Sequence, residues 1–567
     1  MNWLLRLDRT TRLVILSLLL GVVGAFAAQI FLWLLHLAEI WILIPITGHS
    51  FLTVAQAHAA ASAPSWQPNW WIPVATTLGG LLSGILVYTW APEAEGHGTD
   101  AAVKAYHRLG GHVRARIPWI KAVSSAITIG SGGSAGREGP TAQIAAGIGS
   151  VLGTFFKLPE DERRYLVLAG MAAGLSAIFK SPLGTAVFGV EILYSGMAFE
   201  GGALIFTILA SAVAYAVTGA FVGWAPLFVL PSGISFDRGG ELLWYLLLGL
   251  ACGAIGAFLP WVFYKVRDGF HALAIPNQLK PAIGGLAVGL IGMFALPLLG
   301  GGYGWIQLAI DGKLVAWAML LLAFGKIVAL SLTVSSGGSG GVFAPSLYVG
   351  AMFGGTMAAL IGLVTQAGPN PAAFTVVGMA ALFAGAARVP VATLIMVAEM
   401  TGGYKLIMPT MLAVAVSYVV QVALTRHAKY PSLYEAQVPR PVDSPAHHKI
   451  YYEAVANMLR QRKVRLDDDI VGQELMERLS RGQGVPLMGG DEFLYSLEIR
   501  DDMTLAGYPL GTLNFPEGTL LVSLLRDQEV VVPKDDTVLQ VGDKLTVAAT
   551  PHAMEALRLM FTQPLQI

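Results

Sequence analysis

A glycine-rich loop that occurs twice is the feature that most constrains how this chain folds. Residues Ser131–Pro140 read SGGSAGREGP and residues Ser336–Pro345 read SGGSGGVFAP, so six of ten positions are identical at an offset of 205 (336 − 131). Apolar sequence flanks both loops. Backbone of this kind is costly inside a bilayer unless protein or water satisfies its N–H and C=O groups. The repetition predicts two duplicated halves.

A second repeated block supports the duplication. Gly170–Glu191 and Gly378–Glu399 align at an offset of 208 (378 − 170). The matching pairs are Gly170/Gly378, Met171/Met379, Lys180/Arg388, Pro182/Pro390, Thr185/Thr393 and Glu191/Glu399. Several apolar segments, such as Ile117–Ile129 and Pro182–Tyr194, are too short to cross a bilayer alone. Short or broken segments at matching positions indicate a transporter-type site, and they favour inverted repeats.

The composition predicts a polytopic membrane protein whose partner is the lipid bilayer. The 567 residues are 55% hydrophobic and 13% charged, whereas soluble domains carry about 25% charged residues. Net charge is zero and no basic cluster with interleaved aromatic residues appears, so no nucleic-acid polymer is expected. The lone cysteine, Cys252, excludes an internal disulfide and a multi-cysteine metal site. We predict neither a metal nor a cofactor.

The two ends of the chain are predicted to be cytoplasmic. Arg6, Arg9 and Arg12 precede the first apolar run, and no cleavable signal is evident, so the positive-inside rule places the N-terminus in the cytoplasm. After Tyr434 the composition becomes polar, and strands alternate with turns. The strands are predicted at Thr519–Arg526, Glu529–Val532 and Lys544–Ala548, with a closing helix at His552–Met560.

These patterns predict a mainly α fold. It consists of a polytopic membrane protein with inverted internal repeats of broken helices, followed by a small cytoplasmic α+β domain. The predicted divisions are a transmembrane domain at 1–437, a linker or helical region at 438–490 and the cytoplasmic domain at 491–567.

The starts of two predicted helices suggest an anion site. Pro140 suits the first turn of a helix, and the glycines before it expose backbone N–H groups. The same holds for Phe343–Pro345, and free N–H groups at a helix start attract anions. One alternative is a packing loop built from small residues. A phosphate-binding loop is another, but no GK[ST] follows and no strand precedes.

Glu138 is the one acid in the first loop. An ionisable residue in apolar surroundings is by default a functional candidate. Its carboxylate would occupy the anion site as a tethered competitor, and protonation would release it. The alternative is a salt bridge with Arg137 or Lys121.

The motifs resemble the CLC family of chloride channels and proton-coupled chloride transporters. GREGP at Gly136–Pro140 matches the family's gating-glutamate motif, GVFAP at Gly341–Pro345 matches its GxFxP motif, and Tyr434 matches a tyrosine that closes onto the anion. The match covers roughly residues 1–437. The resemblance implies inverted repeats, a homodimer with one pore per subunit, and Glu138 as the outer gate. The anion-binding residues that the motifs and the resemblance together predict are His97, Gly136, Arg137, Gly139, Val342, Phe343 and Tyr434.

His97 is the first departure from the family's pattern. The family commonly has GSGIP in its first loop, where the serine coordinates the anion, but residues Gly96–Asp100 read GHGTD. A histidine in that place donates an N–H to the anion and, with an ordinary pKa of about 6.5, makes conduction pH-sensitive. Alternatively, it caps or packs.

Ile192 is the second departure. Family exchangers often carry a glutamate for proton uptake one residue past a first acid, and here Glu191 is followed by isoleucine. Isoleucine cannot relay protons. The predicted proton path therefore contains Glu138 and Glu191, and coupling through it is expected to be weak or absent. A structural capping role is the alternative for Glu191, because Glu399 is its repeat mate.

The tail resembles the TrkA-C (RCK-C) regulatory subdomain. Leu505–Asp527 and Pro533–Thr550 carry the resemblance, with turns at Pro516–Glu517 and Gly542–Asp543. Such modules dimerise, and some bind small ligands such as cyclic dinucleotides. The sequence leaves ligand sensing and dimer stabilisation equally open.

The predicted function is chloride transport, either as a channel or in exchange for protons, across a bacterial inner membrane. Chloride is favoured over fluoride because GREGP, Phe343 and Tyr434 follow the chloride-type pattern. A sodium-coupled solute symporter is the alternative, and it would need polar side chains and exposed carbonyls for sodium. No enzyme is predicted, since no paired acids and no serine with histidine occur within the membrane segments.

Overall fold

Among the residues that the structure describes, helices form the chain up to about residue 440, and strands occur only after it. The computed structural model describes residues 6–236, 238–365, 369–447, 484–487, 492–499, 506–513, 515–526, 529–531 and 533–562. Most of the predicted linker at 438–490 and the last residue of the predicted strand Glu529–Val532 lie outside them. The chain forms two units, Met1–Pro439 and Arg440–Ile567.

The first unit contains eighteen α-helices within its described residues. The first nine are α1 (Arg9–Ala38), α2 (Ile44–Thr47), α3 (Val54–Ala59), α4 (Trp71–Trp90), α5 (Thr99–Arg108), α6 (Ile117–Gly130), α7 (Glu138–Phe155), α8 (Glu160–Phe179) and α9 (Pro182–Glu191). The next nine are α10 (Gly201–Val222), α11 (Leu242–Ala272), α12 (Lys280–Gly292), α13 (Tyr303–Ile310), α14 (Ala316–Ser335), α15 (Phe343–Val364), α16 (Pro371–Ala387), α17 (Pro390–Thr401) and α18 (Ile407–Leu424).

Helices α4–α10 recur in the same order as α12–α18. The sequence explains the shared breaks, because a proline opens both α9 and α17 where a new helix can start without an N–H donor. Lys180 and Arg388 end the preceding helices, and both adopt a left-handed backbone with φ of 55° and 57°. The duplication predicted from the sequence therefore appears in the structure as helices that begin and end at matching positions in the two halves.

Seven helical segments are long and apolar enough to cross a membrane, within the described part of the chain. They are Arg9–Thr47, Trp71–Trp90, Gly201–Val222, Gly239–Ala272, Ala316–Ser335, Phe343–Val364 and Tyr404–Leu424. The first is 39 residues long because a π-helical turn at Glu39–Leu43 joins α1 to α2. The prediction of a polytopic membrane protein with interspersed short helices is confirmed.

The segment between α2 and α4 is fixed by a short helix and its hydrogen bonds. It contains α3, whose start is fixed by a capping box between Thr53 and Gln56. Lys313 holds the end of α3 by donating to the carbonyl oxygens of Ala57 (3.0 Å) and His58 (2.9 Å). The segment therefore belongs to the folded core on that side.

The second unit is a small α+β structure. Five antiparallel strands pair in the order β1-β2-β5-β3-β4, and their bounds are β1 (Val485–Pro486), β2 (Phe493–Glu498), β3 (Thr519–Arg526), β4 (Glu529–Val531) and β5 (Lys544–Ala549). Helix α19 (Pro551–Thr562) follows, and Leu557 contributes to a core with Leu524 and Val547. The Arg526 guanidinium lies 2.7 Å from the buried carboxylate of Asp543, which also accepts the N–H of Gln540.

Candidate anion site at the paired helix starts

The two glycine loops hydrogen-bond to each other. The N–H of Gly136 donates to the carbonyl of Gly341 (2.7 Å), and the N–H of Gly341 donates to the carbonyl of Gly136 (2.6 Å). The pairing is antiparallel, as expected for repeats of opposite orientation. It places the first turns of α7 and α15 side by side.

The carboxylate of Glu138 lies at the start of α15. Glu138 is the first residue of α7 and is 1% exposed. Its Oε2 accepts the N–H of Ala344 at 3.4 Å, while Oε1 is buried without a hydrogen-bond partner among the described residues. The first N–H groups of a helix have no partner within the helix. The carboxylate therefore lies at a helix start, where free N–H groups attract negative charge.

The cations near Glu138 are engaged elsewhere. The Arg137 guanidinium lies 4.6 Å from the ring centroid of Tyr303. The Lys121 ammonium donates to the carbonyl oxygens of Ala94 (2.9 Å) and Gly96 (2.7 Å). Neither forms a salt bridge with Glu138 within the described residues, so the geometry does not support the salt-bridge alternative.

His97 and Tyr434 meet beside the first turn of α7. Their ring centroids are 5.3 Å apart, and both residues are buried. The Nδ1 atom of His97 is buried and has no hydrogen-bond partner among the described residues. The carbonyl of His97 packs so closely on Gly139 that a Cβ there would lie 1.8 Å from the oxygen. An unpartnered histidine nitrogen can donate to an anion.

Asp100 holds the segment that carries Tyr434. Its Oδ1 accepts the N–H of Ala436 at 2.8 Å. Asp100 lies in the first turn of α5, three residues after His97. The departure from the family's proline thus has a structural use, since it joins the loop of His97 to the chain around Tyr434.

Val342 and Phe343 form the start of α15, and both are buried. The ring of Phe343 packs on those of Phe179 (centroids 4.5 Å apart) and Phe383 (4.2 Å). The side chain is therefore part of an aromatic cluster, while the backbone N–H groups lie at the helix start, where an anion can accept from them.

A cavity of about 620 Å³ borders the loop at Arg137. Ala135, Arg137 and Tyr303 form one wall, and residues 48–54 and 64–66 line the other side. The lining is mainly apolar, with Arg137 as its cation and Glu39 as its acid. The cavity therefore reaches the residue next to Glu138 from the side of the α2–α4 segment.

Glu191 and Glu399 cap each other's helices. The Glu191 carboxylate accepts the N–H groups of Val391 (3.1 Å) and Ala392 (2.7 Å) at the start of α17. The Glu399 carboxylate accepts the Ser181 hydroxyl (2.5 Å) and the N–H of Gly184 (2.9 Å) at the start of α9. This reciprocal geometry matches the capping alternative for Glu191. Ile192, beside it, is fully buried.

Sequence reasoning missed two positioning residues. Lys326 is the mate of Lys121 at the offset of 205, and its ammonium donates to the carbonyls of Leu298 (2.9 Å) and Gly300 (2.6 Å). The offset was a usable signal for Lys326, whereas the contact of Asp100 with Ala436 spans 336 residues and leaves no local pattern. No group of His, Cys, Asp or Glu able to hold a metal occurs in the described ranges.

Paired loops, broken helices and a buried glutamate define a member of an anion-transport class. A family model described as voltage gated chloride channel matches residues 79–422, so the chain belongs to that family. A second model, the TrkA-C domain, matches residues 494–562. Both predicted memberships are confirmed.

Known relatives cover most of the transmembrane unit. A putative chloride channel protein, ClcB-like, of Ralstonia nicotianae is 32% identical over 434 residues, covering 74% of this chain and 95% of the relative. The H(+)/Cl(-) exchange transporter ClcA of Salmonella paratyphi A is 30% identical over 412 residues, covering 70% of this chain and 81% of the relative.

Solved structures share the fold. A slow cyanobacterial Cl-/H+ antiporter matches with a TM-score of 0.64 at 24% identity, covering 75% of this chain and 96% of that chain. A CLC-type fluoride/proton antiporter matches with a TM-score of 0.63 at 22% identity, covering 76% and 98%.

Proposed function

We propose that this protein transports chloride across a bilayer in exchange for protons, with Glu138 as the gate. The observation that carries the proposal is the position of the Glu138 carboxylate, 3.4 Å from the N–H of Ala344 at the start of α15. A carboxylate and a chloride ion both seek such a helix start. They therefore compete for it.

Protonation decides that competition. A neutral carboxylic acid has lost its attraction to the helix start, so the side chain leaves and chloride takes its place. In this scheme the anion contacts the backbone N–H groups of Val342 and Phe343, the hydroxyl of Tyr434 and the Nδ1 of His97. Gly136, Gly139 and Arg137 shape the approach on the α7 side. Uncharged or weakly charged donors bind a dehydrated anion and still let it leave.

The test measures chloride and proton flux in proteoliposomes with opposed gradients of the two ions. We expect a reversal potential between the chloride and proton equilibrium values. Glu138→Gln should carry chloride at all pH values, without the rise at low pH that the wild type shows. A reversal potential fixed at the chloride value would identify a passive channel, and a lack of chloride flux would reject chloride transport altogether.

Selectivity is tested in the same vesicles. The proposed order is chloride over fluoride. A sodium gradient should have no effect on the flux, because the paired helix starts offer N–H donors and sodium needs oxygen ligands. Flux that depends on sodium would favour the symporter alternative.

The proposed assembly is a homodimer in a bacterial inner membrane with both termini in the cytoplasm. We propose the divisions 1–437, 438–490 and 491–567, with a regulatory role for the last. The ligand proposed for the TrkA-C domain is a small molecule such as a cyclic dinucleotide, and dimer stabilisation is the competing role. Truncation after Pro439, where the first unit ends, should leave chloride flux intact, because the shortened chain keeps the bond from Ala436 to Asp100. Titration of the full chain with cyclic dinucleotides would reveal binding. We propose no catalytic activity.

A further inference from the structure

We propose that Glu200 takes up protons from the membrane side on which α1 begins. The inference rests on the proposed exchange of chloride for protons, which requires a proton path from Glu138 to each side. The Glu191 carboxylate is engaged in capping α17, and Ile192 cannot carry a proton. Glu200 is a buried carboxylate that no other step uses.

Glu200 lies in a cage of tyrosines at the start of α10. It is 6% exposed, and its Oε2 accepts the Tyr194 hydroxyl at 2.7 Å. Tyr106 also hydrogen-bonds the carboxylate. The hydroxyl of Tyr165 lies against Gly202, two residues further on. His107 completes the surroundings, since its ring centroid is 5.7 Å from that of Tyr194.

The donors around Glu200 differ in kind from those around Glu191. Glu191 accepts two backbone N–H groups, which cannot accept a proton in return. A protonated Glu191 would therefore lose a hydrogen bond and weaken the cap of α17. Tyrosine hydroxyls both donate and accept. The cage consequently satisfies Glu200 as a carboxylate and as a carboxylic acid, which a residue that cycles between the two states needs.

Glu200 is close to the position where the proton-uptake acid was expected. Its N–H donates to the carbonyl of Val190 at 3.1 Å, which brings it back against the end of α9, next to Ile192. Ile192 itself is fully buried and cannot titrate. The fold thus returns a carboxylate, eight residues later in sequence, to the neighbourhood of the isoleucine.

Contacts along α1 place Glu200 at the opposite depth from the glycine loop. The guanidinium of Arg9, the first residue of α1, lies 5.5 Å from the ring centroid of Tyr165, and it pairs with Asp161 at 2.8 Å. Ala38, the last residue of α1, packs on Gly130 beside the loop. A helix of 30 residues spans about 45 Å. Glu200 therefore lies close to Arg9, at the end of α1 that is far from the glycine loop.

The proposed step is a simple proton transfer. A hydronium ion on the Arg9 side transfers a proton to the Glu200 carboxylate, which becomes a carboxylic acid and leaves a water molecule behind. The acid passes the same proton towards Glu138 and returns to the carboxylate. No other reactant is needed. The net result is the movement of one proton from the Arg9 side towards Glu138.

The test compares Glu200→Gln with Glu200→Asp and the wild type, measuring proton and chloride flux in the same vesicles. Glu200→Gln should lower proton flux per chloride by about a hundredfold, the lower end of the contribution of a positioned proton-transfer group. Glu200→Asp should restore most of it. Tyr194→Phe, which keeps the ring and removes the donor, should lower the ratio less. Glu160→Gln is the matched control, because its side chain is 44% exposed and lies outside the cage.

Three outcomes would overturn the inference. The first is an unchanged proton-to-chloride ratio in Glu200→Gln. The second is a parallel loss of chloride flux and melting temperature in both Glu200 variants, which marks a structural role. The third is a wild type that carries chloride without protons. A wild type without chloride flux would instead reject the proposed function itself.

Discussion

The two repeats of the transmembrane unit share the buried lysines and capping glutamates that hold their loops and helices. They differ in the residues of the loops themselves. Lys121 and Lys326 each hold two carbonyl oxygens of the chain before their loop. Glu191 and Glu399 each cap the helix that carries the other. These devices repeat because both loops must be kept open at the same depth against the cost of bare backbone in a bilayer.

The loops differ at four of their ten positions, and three of these are neighbours. The first repeat has Arg137, Glu138 and Gly139, where the second has Val342, Phe343 and Ala344. The acid of the first repeat reaches the helix start of the second, and the second has no acid to return the contact. The comparison teaches that duplication supplies a symmetric frame, while the proposed gate, Glu138, lies where the symmetry is broken.

Gly139→Ala should have the largest effect on chloride flux of the substitutions that test the difference between the two repeats. A Cβ at this position would lie 1.8 Å from the carbonyl oxygen of His97 and 3.0 Å from the Cα of Gly341. Backbone atoms cannot yield to it without moving the paired loops. We expect chloride flux to fall by at least about a hundredfold, on the order of the loss caused by misplacing a reacting group by 1 Å.

Ala344→Gly is the matched control, because Ala344 is the repeat mate of Gly139 and already carries a Cβ. It should cost only about 0.5–1 kcal/mol of helix stability and keep most of the flux. Equal flux in the two variants would show that the close contact with His97 does not constrain the site. Both are measured by chloride efflux and thermal unfolding.

Lys121→Met and Lys326→Met come next. Each removes a fully buried ammonium that donates to two carbonyl oxygens. The carbonyls of Ala94 and Gly96 keep a second donor, the Ser339 hydroxyl and the Gly340 N–H respectively. We expect each to lower the free energy of unfolding by about 2 kcal/mol. Chloride flux should fall more in Lys121→Met, because the carbonyls it holds precede His97, whereas those held by Lys326 precede the wall of the cavity at Tyr303.

Thermal unfolding in detergent measures the stability of the two lysine variants, and chloride efflux measures their transport. If Lys326→Met lowers chloride flux as much as Lys121→Met at equal stability, the expected difference between the two repeats is wrong. In that case the two clamps would serve the pore alike, and the asymmetry would not begin at His97.

Glu191→Gln and Glu399→Gln test whether the reciprocal caps are equivalent. Each loses charge at a helix start, at a cost of about 0.5–2 kcal/mol. We expect similar melting temperatures and similar proton-to-chloride ratios, since both carboxylates are engaged by the opposing helix. A lower ratio in Glu191→Gln alone would assign it to the proton path.

Much of the duplicated architecture follows from the sequence, because two blocks of the chain align directly at a fixed offset. The loops, the broken helices and the family were predictable in that way. The alternation of strand-forming residues between turns predicted three of the five strands of the second unit. Contacts between distant segments were not. The bond from Asp100 to Ala436, the cage that Tyr106 and Tyr194 form around Glu200, and the engagement of Lys121 by carbonyls depend on how helices pack, which no spacing reveals.

His97→Ser has the smallest expected effect and the most specific one. The substitution replaces a buried, unpartnered Nδ1 with the shorter hydroxyl that the family commonly has there. One hydrogen bond contributes about 0.5–1.5 kcal/mol, so the ratio of chloride to nitrate permeability should change by about two- to tenfold. Phe263→Leu alters the other ring beside His97, 6.2 Å between centroids, and keeps the nitrogen. It should leave the ratio unchanged. If both variants give the wild-type ratio, His97 only packs, and the anion is selected by Tyr434 and the start of α15.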